Sequence, residues 1–151
     1  MLNQAGNQPL GEGLNELGNY TVMVSKYITG TEFQCACCGE LPPDFDIYPY
    51  EEFFDVFDNI REEWGKPINI NSGYRCPVHN ASLDNASPIS AHMSGLALDC
   101  ACPGEVDELH SLIVRLHPKL RIGKYSTFIH IDQAFKIYPR GSIHWVEGAR
   151  W

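Results

Sequence analysis

The run Ser90-Ala91-His92-Met93-Ser94-Gly95-Leu96-Ala97-Leu98-Asp99-Cys100-Ala101 decides how the rest of the chain is read. Its second half, Leu96 to Ala101, is apolar and of strand length, interrupted by one carboxylate. Its first half carries a histidine seven residues before that carboxylate, with Gly95 between them where the chain can turn. A loop histidine and a strand aspartate joined in this way can aim at one ion. Zinc takes imidazole nitrogen and carboxylate oxygen at about 2.0–2.2 Å, and a catalytic zinc site has three protein ligands and keeps a position open for water. His130 is the best third ligand, because in Phe128-Ile129-His130-Ile131-Asp132 the alternation of a strand turns His130 and Asp132 to the same face.

Outward from this run, the clearest element is a helix over Tyr48–Trp64, where Phe53, Phe54, Phe57, Ile60 and Trp64 recur three and four apart before Gly65 and Pro67 stop it. Ile68 to Ser72 alternates as a half-buried strand, and residues 76–91 read as a long polar loop. Pro103 reads as the first position of a helix through Val106, Leu109, Leu112, Ile113 and Leu116, closed by Pro118. Arg121–Gly123, Thr127–Asp132 and Ile143–Val146 read as three further strands. Upstream, Tyr20–Tyr27 reads as an edge strand, and Cys35-Ala36-Cys37-Cys38-Gly39 with Pro42-Pro43 as a knuckle or loop. Residues 1–19 read as a loosely ordered arm with one helical turn near Leu14–Leu17, leaving 20–151 as the working domain. The order of elements predicts a single α+β domain with two main helices and a mainly antiparallel sheet.

Length and composition agree with one domain: 151 residues, of which 44% are hydrophobic, suffice for one core. Nineteen acidic against eleven basic residues give a net charge of −8, which excludes a phosphate backbone or an anionic membrane as the main partner. Recognition of an anion must therefore be local. No apolar run approaches a membrane span and no export signal is visible at Met1–Gln8, so the expectation is a soluble monomer. Six cysteines in such a chain are reduced buried thiols, ligands of a second structural zinc, or disulfides. Cys35-x-x-Cys38-Gly39 has the form of a zinc knuckle that Cys76, Cys100 or Cys102 could complete. Cys100 follows Asp99 in a strand and points to the opposite face. His79, His110, His117 and His144 read as ordinary core or surface residues.

Three blocks, in order along the chain, resemble the zinc D-alanyl-D-alanine carboxypeptidases and murein endopeptidases, relatives of the vancomycin-resistance dipeptidases, phage endopeptidases and the hedgehog domain. They are Ser72-Gly73-Tyr74-Arg75; Ser90, His92, Gly95, Ala97 and Asp99 in the pattern Ser-x-His-x-x-Gly-x-Ala-x-Asp; and Phe128-x-His130-x-Asp132. With Glu32-Phe33-x-Cys35 and Cys76-Pro77-x-His79-Asn80, the resemblance spans about residues 28–132.

The resemblance implies a hedgehog or D,D-peptidase-like fold, one catalytic zinc held by His92, Asp99 and His130, and an Arg75 that faces the substrate. The implied activity is hydrolysis of peptidoglycan stem-peptide or cross-link bonds, as a D,D-carboxypeptidase or endopeptidase, through a zinc-bound water. Arg75 can clamp a substrate carboxylate or a developing oxyanion, and Ser90 can add a hydrogen bond at the same rim. Many members of the family place an acid three positions, or a second histidine two positions, before the last zinc histidine; Thr127 and Phe128 stand there instead. Asp132 is by elimination the general base, or else a carboxylate that only orients a ligand. The departure at Thr127 and Phe128 keeps a second reading open, a zinc-stabilised and catalytically idle module that binds cell wall or protein. Action on the cell wall fits both an exported host enzyme and a phage or prophage endolysin made in the cytoplasm.

Overall fold

The computed structural model describes residues 12–14, 20–45, 49–138 and 146–151. Its centre is a four-stranded antiparallel sheet of β3 (Asn69–Ser72), β4 (Ala97–Ala101), β5 (Arg121–Lys124) and β6 (Phe128–Asp132), in the order β3-β4-β6-β5. A separate pair, β1 (Glu12–Leu14) and β2 (Tyr20–Val22), lies upstream, and the helices are α1 (Gly30–Phe33), α2 (Tyr50–Trp64), α3 (Pro77–Ser82) and α4 (Val106–Leu116). The chain is thus the α+β domain that the order of elements predicts. Among the described residues no helix is long and apolar enough to cross a membrane.

Alternation along the strands divides the sheet into two faces with different work. Leu98, Cys100, Ile122, Ile129 and Ile131 are buried in one core with Phe53, Phe54, Phe57 and Ile60 of α2 and Leu109 and Ile113 of α4. Deleting one such side chain costs about 2–5 kcal/mol, so this face is where stability resides. The opposite face carries Ala97, Asp99, Ala101, His130 and Asp132.

Helix α2 ends where Gly65 takes a left-handed conformation, with Glu51 and Glu52 in its first turn and Arg61 in its last, each sign matched to the helix dipole. Helix α4 starts at Val106, later than Pro103, because Gly104 turns the chain at a φ of 81°. The edge strand expected over Tyr20–Tyr27 is only Tyr20–Val22. The chain bends after it because Ser25 Oγ accepts from the amides of Tyr27 and Ile28, at 3.2 and 3.0 Å, offering the backbone a local alternative to a ladder. The loop expected over 76–91 contains α3, whose six residues are too few to show a helical period; Cys76 caps it and Pro77 opens it. Helix α1 rests on a capping box between Thr29 and Glu32. In the N-terminal arm Leu14 belongs to a strand, and residues 15–17 of the expected helical turn lie outside the described residues. Of the strand expected over Ile143–Val146, residues 143–145 lie outside them as well. What runs beside β5 is Ala149–Trp151: the Ile122 amide donates to Ala149 and the Lys124 amide to Trp151, at 2.9 and 2.8 Å.

A 3-10 turn, Ala91–Ser94, leads into β4 and ends at Gly95, whose φ is 77°. A Cβ at Gly95 would lie 2.5 Å from Pro42 Cγ and 2.8 Å from Tyr50 Cε1, while the Tyr50 hydroxyl donates to the Ser94 carbonyl at 3.0 Å. Both the backbone conformation and the space exclude a side chain. Gly95→Ala is expected to lower the unfolding free energy by about 3 kcal/mol, from left-handed strain and overpacking together. Urea titration against wild type measures it, and an unchanged midpoint would show that Pro42 and Tyr50 yield freely.

Candidate metal centre

Asp99 and His130 are direct partners across the β4–β6 ladder, so their side chains leave the sheet side by side. His92 reaches them from the 3-10 turn. Its Nδ1 donates to the Gly73 carbonyl at 2.7 Å, since a carbonyl can only accept, and this leaves the other ring nitrogen, Nε2, 3.2 Å from Asp99 Oδ1. His130 Nδ1 lies 2.9 Å from the same oxygen. One ligand atom from each of the three residues falls within 4.8 Å of the other two.

These separations fit a metal ion. Ligands about 2.0–2.2 Å from a tetrahedral zinc stand roughly 3.4 Å apart, and two nitrogens on one carboxylate oxygen at 2.9 and 3.2 Å need little adjustment to reach that. The electrostatics fit as well. Burial opposes the Asp99 carboxylate, yet hydrogen bonds from His130 and His92 outweigh it and hold its pKa far below the ordinary carboxylate range. Burial likewise opposes a charged His130, but hydrogen bonds to Asp132 and Asp99 prevail and push its pKa up to about 9. The pocket is built to hold positive charge between two carboxylates.

Asp132 is fully buried and every oxygen of it is engaged. Oδ2 accepts from His130 Nε2 at 2.8 Å, and Oδ1 accepts from Arg121 Nε at 3.0 Å and from the Ala134 amide at 3.1 Å. Holding Nε2 in this way fixes the imidazole ring and directs Nδ1 toward Asp99, the arrangement by which a carboxylate steadies a metal-binding histidine.

Arg75 stands at the rim of the same cavity, about 460 Å³ in volume, whose lining includes Ser90, His92, Asp99, His130 and Asp132, with Arg121, Tyr125 and Trp151 on one wall. Its guanidinium donates to two neutral oxygens, Asn80 Oδ1 at 3.2 Å and Ser72 Oγ at 3.4 Å, while its buried Nε has no hydrogen-bond partner among the described residues. Among the described residues, the charge is therefore held in place without being neutralised. Ser90 lines the cavity too, but its hydroxyl also caps the 3-10 turn by accepting from the His92 amide at 3.3 Å.

Two residues of the site are absent from the motifs. Arg121 pairs with Asp132 across the β5–β6 ladder, a relation visible only once the strand register is known. Trp151 lies with its ring 5.5 Å from that of His130 and under the Arg121 guanidinium, and it fits because Gly123 has no side chain: a Cβ there would sit 2.5 Å from the indole nitrogen. The signal for it would have been the glycine in a strand. Two of the remaining histidines have a side-chain partner outside the cavity. His117 bonds Asn59 at 2.8 Å, and His79 lies 3.5 Å from Cys35 Sγ.

A family model described as peptidase M15 matches residues 26–132, a span that takes in His92, Asp99, His130 and Arg75. The chain belongs to that family, whose members are zinc metallopeptidases. Neither a curated protein nor a solved structure matches it.

Asp132→Asn removes the charge that steadies His130 while leaving its shape. Zinc affinity of the three-ligand site is expected to fall roughly 10- to 100-fold. Competition with a chelating dye measures it; an unaltered affinity would separate Asp132 from metal binding.

Proposed function

We propose that this metallopeptidase hydrolyses peptide bonds in the stem peptides or cross-links of bacterial peptidoglycan, as a D,D-carboxypeptidase or an endopeptidase. The observation that carries the reading is the convergence of His92, Asp99 and His130 in one cavity with an Arg75 that pairs with no carboxylate among the described residues. Zinc, when bound, supplies a Lewis acid that polarises a carbonyl and brings the pKa of water toward about 7.

The chain's own residues do the rest. His92 and His130 each present one ring nitrogen because the other is committed, to the Gly73 carbonyl and to Asp132. Arg75 binds a substrate carboxylate, or the oxygen on which charge develops, with a guanidinium already oriented by Asn80 and Ser72. Ser90 contributes a polar edge to the same rim. For Asp132, burial and the three hydrogen bonds support the orienting role over that of general base.

The same observation gives the second reading its weight. With Thr127 and Phe128 before His130 and Asp132 fully engaged, a catalytically idle binding module is the alternative. Zinc-loaded protein incubated with muropeptides and followed by mass spectrometry separates the two. The expected result is a cleaved product whose mass identifies the bond, abolished in His92→Ala together with the metal. Arg75→Ala is expected to lower kcat/KM roughly 10- to 100-fold, the loss of a charge-assisted contact worth about 1.5–3 kcal/mol. Intact muropeptides after incubation, with protein retained on sacculi, would favour the idle module.

A further inference from the structure

Cys35, Cys37, Cys38 and Cys76 bring four sulfurs within 4.8 Å of one another, away from the three-ligand centre. Cys35 Sγ lies 3.7 Å from Cys37 Sγ, and Cys37 Sγ lies 3.5 Å from Cys76 Sγ. Neither pair is a disulfide, whose sulfurs are about 2.05 Å apart, and all four thiols are free in this structure. The two separations match the edge of a tetrahedron of thiolates, which is about 3.8 Å for sulfurs 2.3 Å from zinc.

Hydrophobic burial does not account for the cluster. Cys100 and Cys102 sit in the apolar core as small hydrophobic residues do, but Cys37 and Cys38 are exposed, where thiols have no packing reason to meet. The backbone is arranged around the sulfurs instead. Gly39, with a φ of 72°, turns the chain back after Cys38, and its amide donates to the Cys35 carbonyl at 2.8 Å. The Cys76 amide points at Cys35 Sγ and the His79 amide at Cys76 Sγ, each at 3.3 Å, donors that favour sulfur as an anion. His79 Nδ1 adds a further polar contact to Cys35 at 3.5 Å.

We propose that Cys35, Cys37, Cys38 and Cys76 form a second, structural zinc site that clamps the turn after α1 to the start of α3. The clamp lies next to the metal centre in the chain. Between its two halves the Tyr74 amide donates to the Phe33 carbonyl at 2.7 Å, Gly73 holds His92, and Arg75 follows directly before Cys76. Gly73 itself packs so closely on Phe33 that a Cβ would lie 2.6 Å from its carbonyl oxygen. A closed four-thiolate site leaves no position for water, so its zinc holds shape and takes no part in hydrolysis. By fixing the Gly73–Cys76 segment it keeps Arg75 and the His92 anchor in register.

Metal analysis of the full chain purified under reducing conditions tests this independently of any peptidase activity. Wild type is expected to carry two zinc ions per chain. Cys37→Ser/Cys38→Ser, at exposed positions, is expected to lose one and keep the other. His92→Ala/Asp99→Ala is expected to lose the other one, and on cobalt substitution to retain the intense near-ultraviolet absorption of thiolate-to-cobalt charge transfer. Undiminished zinc in the double serine variant would overturn the proposal. So would absence of that absorption in the His92→Ala/Asp99→Ala protein, or a native mass showing paired cysteines.

Discussion

Everything at the candidate metal centre depends on one strand register, the pairing of Asp99 with His130 across β4 and β6. Side chains alternate with a period of two, so a slip of one residue would carry His130 and Asp132 into the core and Ile129 and Ile131 out to the cavity. The same ladder that aligns the ligands aligns Leu98, Cys100, Ile129 and Ile131 against α2 and α4. Core and site therefore specify the register jointly. Burial of the apolar face supplies the free energy that holds a buried cluster of two imidazoles and two carboxylates in place.

That cluster is tolerated because its members are committed. His92 gives Nδ1 to a carbonyl, His130 gives Nε2 to Asp132, and Asp132 is neutralised by Arg121. A buried carboxylate deprived of its partner costs about 3–5 kcal/mol, so Arg121 is as much a part of the centre as the ligands. Glycine provides the access. Gly73, Gly95 and Gly123 each sit where a Cβ would meet another group at 2.6 Å or less: the Phe33 carbonyl, Pro42 and the Trp151 indole.

Much of this was legible in the chain. The periodicity of Phe53, Phe54, Phe57 and Ile60 marks α2, and the alternation around His130 and Asp132 marks a strand and the shared face of those two side chains. The spacing of His92, Gly95 and Asp99 anticipates their convergence, because the turn that joins them is local. What escaped was either too short for a period, as with α3, or dependent on pairing between distant segments. Arg121 and Trp151 belong to the second kind, as does the choice of Cys76 over Cys100 and Cys102 as the companion of Cys35, Cys37 and Cys38. No local pattern distinguishes those three cysteines; only the packing of the Gly73–Cys76 segment against Phe33 does.

The three candidate ligands stand on two hydrogen-bonded strands and a capped turn, and this bears on which ions such a site would tell apart. Such supports have little freedom to open outward, so the cavity between His92 Nε2, Asp99 Oδ1 and His130 Nδ1 has a set size. Calcium, which takes six to eight oxygens at about 2.3–2.6 Å, finds one carboxylate and two imidazoles there. Magnesium, which gives up its waters reluctantly, has too few oxygens to exchange them for. A metal site on this scaffold would discriminate against the abundant hard cations by its stiffness and the nitrogen it presents. Rivalry for the site is left to the borderline metals that accept two imidazoles and a carboxylate.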